Sequence, residues 1–222
     1  MDTDSARQQA SNRNAHAWPR RRLLQAGYVG VLGLTFGGPL ANAMHHGAAA
    51  SKPDTAALAP TPECRDGDEP TPRQGAGPFY TPDSPPRASL IEPGLPGTPL
   101  VLVGHVLQTD CQSLAGVLLD FWQANNEGRY DNQGYTLRGH QFTDANGQYR
   151  LETIVPGLYP GRTRHIHVRV QAPRARAITT QLYFPDVSQN ERDFIYDPLL
   201  LVQPLDPSPQ GMKARFDFVL RV

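Results

Sequence analysis

The chain has only two cysteines, Cys64 and Cys111, among its 222 residues. That excludes a thiolate metal cluster and a disulfide-dense scaffold. It also lacks net charge, since 21 basic residues balance 21 acidic ones. The segment 1–43 holds five arginines and two aspartates, so the remainder has 16 basic and 19 acidic residues, net −3. Such a balance argues against nucleic acid as a partner. The apolar stretch from Leu23 to about Phe36 is too short and too glycine-rich to span a bilayer comfortably. No membrane association is therefore expected of the mature form. Internal repeats, a phosphate-binding glycine-rich loop and a sustained helical period are all missing.

What is present begins with an export pattern. Arg20-Arg21-Arg22-Leu23-Leu24-Gln25 precedes the apolar stretch, and Ala41-Asn42-Ala43 reads as a cleavage signal. The pattern resembles a twin-arginine signal, which implies export of an already folded, metal-loaded protein to the periplasm or beyond. An ordinary secretory signal and an uncleaved anchor are the alternatives. Residues 44–74, rich in Ala, Pro, Asp and Gly, read as a flexible linker. Residues 75–222 are left as one domain of ordinary size. In an oxidising compartment an isolated cysteine pair commonly bridges, so a Cys64–Cys111 disulfide is expected, with two free thiols as the alternative.

The domain reads as strands. Leu100–Leu107 and Val117–Trp122 are apolar runs. Gln141–Thr143 and Gln148–Ile154 flank Asp144-Ala-Asn-Gly147, a hairpin signal. His165–Ala172, Ile178–Phe184 and Ala214–Val222 complete the set, with a short helix at Val187–Phe194. The pattern predicts an all-β fold, an antiparallel β-sandwich.

The segment Tyr159-Pro-Gly-Arg162-Thr-Arg-His165-Ile-His167 carries the chemistry. On a strand, residues two apart share a face, so His165 and His167 aim at one point, as metal ligands must. Tyr159 can fold back to that point across the Pro-Gly turn. Imidazole suits several transition metals. A phenolate is more selective: it is a hard anion that suits ferric iron, and a trivalent ion holds it deprotonated far below its free pKa. Zinc is the inorganic rival, but it prefers Cys, His and carboxylate, and no such cluster accompanies the pair. Upstream, Trp122-Gln-Ala-Asn-Asn-Glu-Gly-Arg-Tyr130 runs from a strand through a polar turn to a second tyrosine.

Together these segments resemble the intradiol ring-cleavage dioxygenases, which carry a WQAN-x-x-GRY segment, a Tyr-Pro turn and Arg-x-x-His-x-His. The resemblance covers roughly Gly77 to the C-terminus. It implies non-haem Fe(III) held by Tyr130, Tyr159, His165 and His167, with Arg162 as the active-site arginine. It implies that Tyr159 yields to substrate and takes a catechol proton. It places Gln181 and Tyr183, which share a strand face, near the substrate, and Tyr80 of Gly77-Pro-Phe-Tyr80 in the pocket. The implied reaction opens a catechol between its hydroxylated carbons with O₂, giving a muconate-type dicarboxylate. Extradiol enzymes instead use Fe(II) with two His and a carboxylate.

This sequence departs from the better-known members in two ways. Only five residues separate Tyr159 from His165, where catechol and protocatechuate enzymes carry a longer insertion, so a more open pocket is expected. The N-terminal helical dimerisation region of the catechol enzymes has no counterpart, and a homo-oligomer is left open. Catechol, protocatechuate, hydroxyquinol and larger plant phenolics are all candidate substrates. The alternative is an exported β-sandwich module that binds phenolics or carbohydrate without turnover, a role with no need for Arg162.

Overall fold

The computed structural model describes residues 69–205 and 211–222. The expected signal segment 1–43, most of the linker and Cys64 lie outside the described residues. Among the described residues nine strands form two sheets. The first sheet is built on β1 (Pro99–Gln108), flanked by β4 (Gln148–Ile154) and β8 (Met212–Arg215). The two-residue β7 (Gln203–Pro204) adds to β8, and β9 (Phe218–Leu220) pairs with the end of β1. The second sheet has the order β3 (Arg138–Phe142), β2 (Leu118–Gln123), β5 (His165–Gln171), β6 (Ile178–Tyr183). Among the described residues no helix is long and apolar enough to cross a membrane.

The register of the second sheet explains both its core and its site. Leu119 pairs with Val170 and Phe121 with Val168, while Ile166 pairs with Leu182. These rows are buried with Leu102, Leu151 and Ala214 of the first sheet, which also lie opposite one another. Side chains alternate along a strand, so the intervening residues point to the outer face. They form the rows Asp120–Arg169–Thr179 and Trp122–His167–Gln181, and the pair His165–Tyr183. The β-branched pattern that makes β5 a strand thus delivers both histidines to one surface. Gln123 points inward and ties the sheets together. Its Oε1 accepts from Thr153 Oγ1 at 2.9 Å, and its Nε2 donates to the Ile154 carbonyl at 2.9 Å.

Four details differ from the sequence reading. The Asp144–Gly147 turn forms, with Asp144 Oδ1 accepting from the Asn146 and Gln148 amides at 2.8 Å. It joins strands of different sheets, however, and so is not a hairpin. The Thr143 amide donates to Val117, holding one arm on β2, while the Val106 amide donates to the Gly147 carbonyl, drawing the other onto β1. The expected last strand is split, and β8 and β9 run parallel to β1, so the sandwich is not wholly antiparallel. The break lies at Phe216-Asp217, where Asp217 Oδ1 takes the His105 amide at 2.7 Å in place of a backbone acceptor. Beside it Gly104 leaves room for the Phe216 carbonyl, which a Cβ would meet at 1.8 Å. The expected helix at 187–194 is a 3-10 turn, Ser188–Arg192. Finally, the end of the presumed linker is bound to the domain. The Thr71 amide donates to Val219, the Gln74 amide to Thr179, and Thr180 Oγ1 to Pro72. Its backbone extends the edge beside β6, where unpaired strand groups require partners.

Candidate metal centre and active site

His165 and His167 are both buried, and their Nε2 atoms stand 3.2 Å apart. His165 Nδ1 lies 2.7 Å from the Thr163 carbonyl, which can only accept. That bond places the ring proton on Nδ1 and the lone pair on Nε2. Burial pushes the His165 pKa down to about 4 and that of His167 well below its ordinary value, the latter aided by His165, Arg162 and Arg138. Both rings are therefore neutral at neutral pH, as ligation requires. The indole of Trp122 stacks on His167 with 4.9 Å between centroids and 2° between planes.

Tyr130 reaches the same point through a loop whose sequence accounts for its shape. Asn125 Oδ1 accepts from the amides of Glu127 at 3.0 Å and Arg129 at 2.9 Å, closing a side-chain-capped turn. Gly128 follows at φ +79°, and a Cβ there would lie 2.0 Å from the Leu158 carbonyl. The Gly157 amide donates to Asn125 across the same contact. The loops bearing Tyr130 and Tyr159 are thus packed backbone against backbone. Tyr130 Oη comes within 3.1 Å of His165 Nε2. The Tyr159 ring meets Tyr130 edge-on, with centroids 5.9 Å apart. Phe79 stacks on Tyr130 at 4.6 Å and stands edge-on to Tyr159 at 5.3 Å. Burial raises the Tyr130 pKa, and Arg162 and Arg138 oppose it. Arg138 is itself buried and donates only to carbonyls: Nη1 to Phe79 at 2.6 Å, and Nε and Nη2 to Asp131 at 3.0 and 2.6 Å.

This donor set fits a metal ion. Two donors held about 2.1 Å from one ion at right angles lie about 3 Å apart, close to the spacing seen between the imidazoles. His167 Nδ1 is buried with no hydrogen-bond partner. Whichever ring nitrogen of His167 carries the proton, the site is not satisfied by protein alone. A buried phenol with a raised pKa becomes a ligand only beside a strong cation. Gly77, at φ +66°, closes over the ring: a Cβ there would lie 3.5 Å from His167 Cε1 and 3.8 Å from Nε2. Among the described residues no group of three or more His, Cys, Asp or Glu is placed to hold a metal, so the phenols are integral to the donor set.

Arg162 lies beside the two tyrosines on the wall of a cleft of about 320 Å³, shared with Tyr159, Gln189, Arg192 and Asp193. Its Nε donates to both Asp193 oxygens, at 3.1 and 2.9 Å, and its Nη2 to Gln181 Oε1 at 2.7 Å. The structure brings Tyr130, Tyr159, His165, His167, Arg162 and Gln181 together as the sequence motifs suggest. Tyr183 is fully buried. Its hydroxyl donates to Gln74 Oε1 at 2.7 Å and lies 3.1 Å from the Ile195 carbonyl, so it packs behind His165 instead of lining an open pocket. Tyr80 faces away from the ligands. Its hydroxyl donates to Asp120 Oδ2 at 3.2 Å and its ring leans on Trp122, while Phe79 occupies the position against the tyrosines. Arg164 is half-buried, and no carboxylate pairs with it among the described residues. Cys111 is disulfide-bonded, and the chain's other cysteine, Cys64, lies outside the described residues. Sequence reading missed Phe79, Arg138 and Asp193. The first follows a glycine-proline pair already singled out, whereas the other two carry no local signal.

Residues 76–222 match the family model described as Dioxygenase. The chain is 54% identical to the dioxygenase domain of a dioxygenase–carbohydrate-binding protein fusion from Streptomyces sp. SirexAA-E. That likeness covers 69% of this chain and 99% of that one, with a TM-score of 0.67. It is 32% identical over 176 residues to catechol 1,2-dioxygenase of Candida albicans, covering 65% of this chain and 58% of the relative. It is 30% identical over 153 residues to the protocatechuate 3,4-dioxygenase β chain of Burkholderia cepacia, covering 56% and 65%. The chain thus spans between half and two-thirds of the length of such curated relatives. With the family model covering the whole β-sandwich, and two histidines and two tyrosines converging on its outer face, this chain belongs to the intradiol ring-cleavage dioxygenase family.

Proposed function

We propose that this protein is an exported Fe(III) dioxygenase. It holds the metal with Tyr130, Tyr159, His165 and His167 and opens a catechol between its two hydroxylated carbons. Both atoms of O₂ enter the product, a muconate-type dicarboxylate. The observation that carries the reading is the convergence of two neutral imidazoles 3.2 Å apart with a phenol 3.1 Å away, beside the buried Arg138 and the partly exposed Arg162. Ferric iron, when bound there, supplies Lewis acidity towards phenols and catechol oxygens.

The protein's own groups do the rest. Thr163 fixes the His165 tautomer, and Trp122 fixes the plane of His167. Tyr159 is half-exposed on the cleft, so its Oη, as the phenolate that a bound ferric ion would hold, could take the proton of an entering catechol hydroxyl. Arg162 places its positive charge at the same wall, where it stabilises negative charge building on the ring during oxygen attack. Phe79 stacks on the Tyr130 ring and holds its plane. Two phenols in place of a carboxylate beside the histidine pair favour ferric over ferrous chemistry, hence cleavage between the hydroxyls.

Residues 1–43 act as a twin-arginine signal and 75–222 as the catalytic domain, placing the mature enzyme in the periplasm or outside the cell. The test is elemental analysis, a visible spectrum and product identification. One iron per chain, a red tyrosinate band and a muconate or its lactone are expected. Stoichiometric zinc in a colourless protein, or a yellow semialdehyde product, overturns the reading. A red protein that binds catechols without consuming O₂ would be a binding module instead.

A further inference from the structure

Arg162 is a long, flexible side chain on the connection between β4 and β5, and such a chain gives up rotamer freedom when held in one geometry. Asp193, 31 residues away at the end of the 3-10 turn, holds it. The Asp193 side chain is 1% exposed, against 16% for Arg162. Its Oδ2 accepts from Arg162 Nε at 2.9 Å and from the Thr163 amide at 2.8 Å. Its Oδ1 accepts from Arg162 Nε at 3.1 Å and from the Ile195 amide at 3.2 Å. The carboxylate is therefore oriented by backbone at both oxygens and cannot follow the arginine if it moves. Gln181 completes the cradle. Its Oε1 accepts from Nη2 at 2.7 Å, and its Nε2 donates to Gly75 at 3.2 Å. Nε and Nη2 of the guanidinium are thus engaged, and the Tyr183 hydroxyl also lies beside it.

We propose that Asp193 is the positioning residue for Arg162, and that with Gln181 it forms a built guanidinium cradle beside the metal ligands. This rests on the proposed catalytic reading. Asp193 touches neither substrate nor metal; it decides where the positive charge stands. A displacement of that charge by about 1 Å is the kind of change that costs roughly a hundredfold in rate.

The cradle itself supplies the test. Arg162→Ala should lose turnover and regain it, saturably, on addition of millimolar guanidinium chloride, because the emptied cradle binds the free cation. Arg162→Ala/Asp193→Asn should show no such recovery. In the otherwise native enzyme, Asp193→Asn removes the charge and keeps one side-chain oxygen to accept from one of the two backbone amides. It should retain iron and the tyrosinate charge-transfer band, while kcat falls roughly tenfold to a hundredfold and KM moves less. Calorimetric binding of guanidinium to Arg162→Ala, lost in the double variant, gives a readout independent of turnover. Equal rescue of single and double variants, or wild-type turnover in Asp193→Asn, overturns the inference. If Asp193→Asn does not fold, Asp193→Glu decides: reduced kcat with an unchanged band supports the role, and wild-type kcat refutes it. A wild-type enzyme without colour or catechol turnover would refute the catalytic reading instead.

Discussion

The Trp122 indole lies flat against the His167 imidazole, 4.9 Å between centroids and 2° from parallel. The two residues are direct cross-strand partners on β2 and β5, so sheet register alone sets the stack. The tryptophan that opens one motif therefore braces the His167 ring, a proposed ligand contributed by another. Aromatic pairs of this kind contribute about 0.5–1.5 kcal/mol beyond their buried area, and groups that orient a metal-bound histidine typically alter metal affinity roughly 10- to 100-fold. Trp122→Leu should fold, and should lose iron to a competing chelator about tenfold more readily. Chelator competition followed at the charge-transfer band checks this.

Gly128→Ala should disrupt both tyrosine loops together. The residue adopts φ +79°, and the new Cβ would collide with the Leu158 carbonyl. The left-handed conformation alone costs about 1–2 kcal/mol for a residue with a Cβ, and relieving the collision must shift Tyr159. The expected outcome is a lower midpoint in denaturant together with reduced iron occupancy. Gly161→Ala is the control, since its Cβ would meet nothing within 4 Å despite a similar φ of +79°.

Acid should weaken the metal-free protein through its buried histidines. Above pH 6.5 neither the folded nor the unfolded chain protonates them appreciably. As pH falls from 6.5 towards 4, the unfolded chain takes up protons that His165 refuses in the folded state, so stability falls with falling pH. For His165 alone the loss amounts to roughly 3 kcal/mol by pH 4. Urea titrations of apo-protein across this range should show it, and His165→Gln should flatten the slope.

The cleft wall carries Arg192, an exposed cation with no carboxylate partner among the described residues. Catechols bearing a carboxylate should be favoured through this charge. Arg192→Gln should lower the ratio of kcat/KM for 3,4-dihydroxybenzoate over unsubstituted catechol by about three- to tenfold, as expected for one partly exposed charge pair. Steady-state oxygen uptake at low and high salt measures the ratio, and salt should reproduce part of the effect.

Cys64 and Cys111 are the only cysteines, and Cys111 is bridged. Thiol titration of denatured, unreduced mature protein should therefore find no free thiol. Reduction should lower stability by about 2–4 kcal/mol, the usual worth of such a bridge.

Much of the fold was legible because β-strands declare themselves locally. The alternation in His165–Gln171 specifies both the strand and the shared direction of its histidines. The two tyrosines were legible too, since the loops that aim them are written in residues with local jobs: Asn125 caps a turn, and Gly128 accepts a conformation and a contact that a Cβ forbids. The pairing of strands was less so. The Asp144–Gly147 turn has the composition of a hairpin, yet its arms go to different sheets because Val106 and Val117, far off in sequence, compete for its ends.

What the sequence by itself determined was which histidines and tyrosines are candidate donors and the face the two histidines share, because side-chain chemistry and strand periodicity are local properties. Tertiary structure alone decided their company. Asp193 meets Arg162 across 31 residues, and Arg138 lies near Tyr130 while its hydrogen bonds go only to carbonyls. Phe79, not Tyr80, covers the phenols. Such contacts depend on which chain segments close over the outer face of the second sheet. That closure is settled by long-range packing and by the need to satisfy buried polar groups.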